Sequence, residues 1–227
     1  MAFLTALAAF LVSLNMQPLV IHLLRRHAII DQPGERSSHS TPTPRGGGVA
    51  VMAGVFTGSL LAVTTSISMA VVASAFLITL VGIAEDVHGL RAGVRLILQF
   101  ALALPVVVVA SNESEVPTEL FIAIGVVFMA AAVNAVNFMD GINGITSAVG
   151  IGAGTAYASM FFVLGDKSLA LIGVALTTAC TAFIPFNATN ARVFLGDSGS
   201  YGVGAVLGDL AVAAWALGMP FEAVLAP

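Results

Sequence analysis

Charge is what this sequence has least of. Only 9% of its 227 residues are Asp, Glu, Lys or Arg, while 58% are hydrophobic. A soluble domain carries about 25% charged residues, so a water-soluble globule is excluded. Cysteine is nearly missing too. Cys180 stands alone inside an apolar run, which rules out a disulfide framework and a cysteine-based metal site. The first apolar run has no basic residues ahead of it and two arginines behind it. That is the reverse of a cleaved signal peptide, and a retained helix is expected.

The few charges are also unevenly placed. Residues 1–24, 46–84, 96–112, 120–139, 141–165 and 168–191 contain none. About 20 apolar residues cross a bilayer as a helix, and unpaired backbone groups are not tolerated in hydrocarbon. The pattern predicts an all-α, polytopic membrane bundle, one membrane domain over 1–227. Eight transmembrane helices are expected, at about 3–24, 47–64, 69–85, 95–111, 120–137, 144–164, 168–186 and 200–217. Alternate loops then carry Arg25, Arg26, Arg36, Arg45, Arg91, Arg95 and Arg192 on one side, and only Lys167 on the other. Lys and Arg accumulate on the cytoplasmic side, so the arginine-bearing loops are expected there and both termini on the periplasmic side.

The four inner loops hold the unusual residues. In 31–48, three prolines and Gly46, Gly47 and Gly48 prevent a regular helix. Arg36, His39 and Arg45 suit a phosphate-bearing partner, and the glycines allow close backbone approach to a ligand; a loop that merely sets topology would look similar. At 82–95, Glu85 and Asp86 end an apolar helix. Ionised carboxylates at that depth need a cation, a proton or a salt bridge to Arg91 or Arg95. In 134–144, Asn134, Asn137 and Asp140 lie three apart on one helical face, followed by Asn143. Amide groups there fit a base or sugar or interhelical hydrogen bonds. In 186–200, Asn187 and Arg192 precede Asp197 and Ser200. An acid among small residues can hold a hard cation, and the helix start after it can take a phosphate or simply be capped. Asp209 lies in the middle of the last span, and its role is left open.

All four clusters fall on one predicted membrane face, as phosphate substrates bridged by Mg²⁺ would require. Together, in this order, they resemble the motifs of the polyprenyl-phosphate N-acetylhexosamine-1-phosphate transferases. That superfamily belongs to glycosyltransferase family 4. Asp31, Pro33, Arg36, His39, Pro44 and Arg45–Gly48 are similar to its first loop. Glu85 and Asp86 stand at its paired aspartates. Asn134, Asn137, Asp140 and Asn143 match its Asn/Asp motif, and Gly196, Asp197, Gly199 and Ser200 its Gly-Asp-x-Gly-Ser motif. The first loop and the Glu-Asp pair look most like the O-antigen branch, which is related to the phospho-N-acetylmuramoyl-pentapeptide transferases.

The resemblance implies a bacterial inner-membrane enzyme with its active site on the cytoplasmic side. It would move a sugar-1-phosphate from a UDP-sugar to undecaprenyl or another polyprenyl phosphate and release UMP. It implies Asp197 and Asp86 as ligands of Mg²⁺ (or Mn²⁺), and Asp86, Glu85 and Asp140 as catalytic carboxylates. Arg36, His39, Arg45, Asn134, Asn137, Asn143, Asn187, Arg192 and Ser200 would bind substrate. Expected partners are the UDP-sugar, the lipid phosphate and the membrane, with a homodimer as an option and no nucleic acid. Family members have ten or eleven spans and a later cytoplasmic loop rich in histidine. Here His22, His27, His39 and His88 all lie in the first half. Relative to that pattern the chain is expected to be C-terminally incomplete and weak or inactive alone. The competing expectation is a non-catalytic membrane protein that still binds nucleotide or lipid phosphate. A transporter is disfavoured, because the polar groups cluster at one face.

Overall fold

The computed structural model describes residues 1–33, 41–225 and 227. Arg36 and His39 lie outside the described residues. Among the described residues the chain forms α1 (Ala2–Arg26), β1 (Ile30–Asp31), β2 (Thr43–Pro44), α2 (Gly48–Leu60), α3 (Ser66–His88), α4 (Ala92–Ser111), α5 (Thr118–Met139), α6 (Ile145–Leu164), α7 (Lys167–Asn187), α8 (Gly196–Ala216) and the short α9 (Phe221–Val224). β1 and β2 pair antiparallel, a small hairpin within the proline-rich first loop. The rest is a polytopic helical bundle.

Six of the helices, α1 and α3 to α7, are long and apolar enough to cross a membrane. The two other expected spans deviate for physical reasons. α2 has 13 residues, about 20 Å at 1.5 Å per residue, against roughly 30 Å of hydrocarbon. α8 has 21 residues, but glycines, serines, Asp197 and Asp209 lower its hydropathy. α8 is nevertheless the core. Of its residues only Trp215 escapes full burial. It packs against α2, α3, α4, α5 and α6, and its neighbours shield its polar groups from lipid.

Small residues make this packing possible. Without a hydrophobic drive between helices in lipid, close backbone approach supplies the attraction. Gly48 lies against the backbone of Gly199, and Gly82 against the backbone of Asp197 and Ser198. A side chain at either glycine would overlap those atoms. Both contacts lie at the start of α8, so they fix where the four polar linkers meet.

Candidate functional site

The linkers after α1, α3, α5 and α7 converge at one end of the bundle. Their centre is an ion-paired cluster. Arg45, just ahead of α2, directs its guanidinium at two carboxylates. Nε lies 3.1 Å from Asp86 Oδ1, and Nη2 bonds Asp197 Oδ2. The two aspartate side chains are 4% and 6% exposed, that of Arg45 43%. Burial alone would lower the Arg45 pKa; Asp197 and then Asp86 more than reverse this, and the group stays charged.

Asp86 has a second duty. Its Oδ1 accepts the backbone N–H of Asp197 at 2.9 Å, and its Oδ2 accepts that of Ser198 at 2.9 Å. The last turn of α3 thus supplies an anion to the N-terminus of α8, where unpaired N–H groups and the helix dipole favour one. Of the two readings open for this helix start, a phosphate site or a cap, the cap forms at these two N–H groups, and Asp86 supplies it. The glycine N–H groups ahead of α2 are likewise engaged. Gly46 and Gly47 donate to the Phe194 carbonyl at 3.1 and 2.9 Å, and Gly48 to that of Leu195 at 2.8 Å. Their closeness serves the protein's own backbone, because these N–H groups sit below the surface and must be paired.

Glu85 takes the salt-bridge alternative raised by its sequence. Oε1 meets Arg95 Nη1 at 3.0 Å, and Oε2 accepts the N–H of Leu90 at 2.5 Å. Arg95 also donates to the Tyr201 hydroxyl at 3.3 Å. The pair ties the α3–α4 turn to α8.

Asp140 caps the end of α5, and its Oδ1 accepts from the Thr146 hydroxyl at 2.6 Å. Burial pushes its pKa up to about 7; the Thr146 bond opposes the shift and nearby Asp197 adds to it. Asp140 shares a cleft of about 450 Å³ with Asn137, Phe138, Arg45, Asp197 and Asp31. A second cavity, about 580 Å³, opens on the other side of Arg45 beside His27, Asp31 and Asp86. Arg45 therefore stands between two spaces.

The raised Asp140 pKa gives a signed expectation. Between about pH 4 and pH 7 the folded protein holds a proton that the unfolded chain releases. Asp140 therefore lowers stability as pH rises across that window, and the penalty is complete above 7. Asp140→Asn should raise the melting temperature at pH 8 and leave it near wild type at pH 4. Thermal melts in detergent across this range check it.

The remaining expected residues divide. Asn137 Oδ1 accepts from Ser200 Oγ at 2.8 Å and borders the cleft, while Ser200 itself is buried. Asn134 instead donates to Gln99 Oε1 of α4 at 2.5 Å, which is the interhelical alternative. Asn187 joins two linkers, accepting from the Gly144 N–H at 2.6 Å and donating to the Val193 carbonyl at 3.1 Å. Arg192 is exposed, stacks on the Phe186 ring with its guanidinium carbon 4.6 Å from the centroid, and donates to the Pro185 carbonyl. Asn143 is exposed in the linker after α5. Gln17 was not singled out from sequence. It is a buried amide of α1 that donates to the Gly47 carbonyl at 3.0 Å, and a lone Gln in an uncharged run was its visible signal.

Among the described residues no three His, Cys, Asp or Glu side chains group as a self-contained metal cage. The oxygen donors do suit a hard cation that shares its ligands with phosphate. Such cations take one or two carboxylates and complete their shell with substrate oxygens and water. Asp197 and Asp140 face one cleft, and a cationic group already lies between Asp86 and Asp197.

The family "Glycosyl transferase family 4" matches residues 68–215. The chain belongs to that family. It is 29% identical to the probable undecaprenyl-phosphate N-acetylglucosaminyl 1-phosphate transferase of Bacillus subtilis, with 86% of this chain and 59% of that protein aligned. It is 32% identical to the decaprenyl-phosphate N-acetylglucosaminephosphotransferase of Mycobacterium leprae, with 90% and 59% aligned. It is 30% identical to the phospho-N-acetylmuramoyl-pentapeptide-transferase of Clostridioides difficile, with 88% and 71% aligned. The chain thus spans 59% of the length of the first two relatives. The family-4 match begins in α3 and ends in α8, and so contains Asp86, Asp140 and Asp197 but not Arg45.

Proposed function

We propose that this chain transfers N-acetylhexosamine-1-phosphate from a UDP-sugar to a polyprenyl phosphate at the cytoplasmic face of the bacterial inner membrane. Sequence-level likeness to the O-antigen branch favours a role in starting a cell-envelope polysaccharide. The carrying observation is the convergence of Asp86, Asp140 and Asp197, from three different helix ends, around Arg45, with Asp140, Asp197 and Asn137 lining the cleft on one side of it and Asp86 the cavity on the other. The seven-to-one split of basic residues between the two sides supports the cytoplasmic placement. The relatives' names supply the chemistry: they act on undecaprenyl or decaprenyl phosphate.

Arg45 and Asn137 are suited to gripping the donor in the cleft. An oxygen of the lipid phosphate attacks the sugar-bearing phosphorus, the diphosphate bond breaks, and UMP leaves. Asp140 is the better base for any proton still on the acceptor phosphate. Its pKa near 7 matches the phosphate's second ionisation near 6, whereas Asp86 already accepts from two N–H groups and a guanidinium. Asp197, with Asp86, would hold Mg²⁺ (or Mn²⁺), which when bound offsets charge on the diphosphate. Direct displacement is favoured over a covalent aspartyl intermediate, since it needs only these groups.

The test is transfer itself. Membranes containing the chain should convert UDP-N-acetylglucosamine and polyprenyl phosphate to lipid-linked sugar, releasing UMP only when Mg²⁺ is present. Binding of UDP-sugar with no UMP release would favour a non-catalytic binding protein.

A further inference from the structure

Arg45 holds the place of a cation. Its guanidinium spans Asp86 and Asp197, two acids from different helices that are both almost sealed from solvent. Two such carboxylates at close range cannot both stay ionised without a positive charge between them. Arg45 supplies it, at the position where the donor chemistry suits a divalent ion.

Its anchorage is divided. The Arg45 backbone is fixed: its N–H donates to the Ile29 carbonyl at 3.2 Å, and the residue bridges Phe194. Its side chain is less confined, with 43% exposure and a cavity on either side. Asp86 keeps two backbone N–H bonds whatever Arg45 does. The guanidinium can therefore leave without releasing the start of α8. Arg95, held by Glu85 and Tyr201, is the less exposed of the two at 29%.

We propose that Arg45 is an internal counter-ion that gives way to substrate: in the empty protein it occupies the space between Asp86 and Asp197, and it moves to phosphate oxygens when a nucleoside diphosphate arrives together with a divalent cation. This rests on the proposed function and adds a binding order to it. Arg45 excludes the free cation, so cation and diphosphate bind as one unit. Diphosphate is what makes the exchange favourable, because it gives the displaced guanidinium new anionic oxygens in bidentate geometry.

The test is Mn²⁺ binding to the purified chain in detergent, read by loss of the free-ion paramagnetic resonance signal, with and without UDP-N-acetylglucosamine. Wild type should bind Mn²⁺ weakly alone and more tightly with nucleotide. Arg45→Met should bind Mn²⁺ alone about tenfold more tightly, and nucleotide should add little, since coupling of this kind is commonly 5- to 150-fold and reciprocal. Arg45→Lys keeps a charge and should stay closer to wild type. Adding Asp197→Asn to Arg45→Met should abolish the gain, which places it at this site. If Arg45→Met binds free Mn²⁺ no better than wild type while nucleotide still strengthens wild-type binding, the exchange is wrong and the functional reading stands. If no protein binds Mn²⁺ under either condition, both are wrong.

Discussion

Asp197→Asn should reduce sugar-phosphate transfer about a thousandfold while leaving the protein folded in the membrane. The two halves of this expectation come from different parts of one residue. The Asp197 backbone N–H holds Asp86 at the start of α8, and the substitution does not touch it. The Asp197 carboxylate faces Arg45 and the cleft. Replacing it with an amide removes one negative charge from a poorly solvated site, where a hard cation and a diphosphate would meet. Losing such charge stabilisation is worth several kcal/mol, and about 4 kcal/mol corresponds to a thousandfold in rate. Asp86→Asn should behave differently. Its amide keeps one acceptor oxygen but turns an NH2 donor toward the second backbone N–H, so the protein should lose thermal stability along with activity. UMP release, relative to wild type, and the melting temperature in detergent separate the two cases. Equal activity of Asp197→Asn and wild type would remove Asp197 from the cation role. Wild-type stability of Asp86→Asn would contradict its role as the anchor of α8.

These roles were unequally legible in the sequence. Helix number and the gathering of polar loops at one end follow from hydropathy and arginine placement, which are local or counted properties. The bundle bears out the all-α, polytopic class, while six of the eight expected spans are long and apolar enough to cross a membrane, α2 being short and α8 polar. A span can be either if its neighbours exclude lipid, and no single window of sequence records that. The identity of Asp86, Asp140 and Asp197 as residues of note was also visible. Their duties were not, because each depends on a partner far along the chain. Asp86 and Ser198 are 112 positions apart, and Arg45 and Asp197 are 152 apart. The same is true of Asn134, whose spacing with Asn137 suggested a ligand face. Gln99 on the neighbouring helix claims it instead. Where a polar group had both a functional and a structural explanation, distance in sequence concealed which partner reached it first.

Gly82→Val should be among the most damaging single substitutions to the fold, and Gly152→Ala close to harmless. A side chain at Gly82 would run into the backbone of Asp197 and the Ser198 Cα. Backbone cannot rotate aside as a flexible side chain can, so α3 and α8 must separate. Overpacking generally costs about 1–3 kcal/mol, and a rigid backbone obstacle belongs at the upper end. The harm would not stop at packing. Gly82 and Asp86 are four apart on one helical face, so pushing α3 away from α8 also stretches both Asp86 bonds to the α8 N-terminus and pulls Asp86 from Arg45. Stability and the site should fail together. A methyl group at Gly152 in α6 would meet nothing within 4 Å, and alanine there gains up to about 1 kcal/mol of helix propensity. Detergent melts and limited proteolysis of the two variants would show whether backbone contact between α3 and α8 holds the carboxylates in place. A Gly82→Val protein that melts like wild type would mean that the site is positioned by its ion pairs alone.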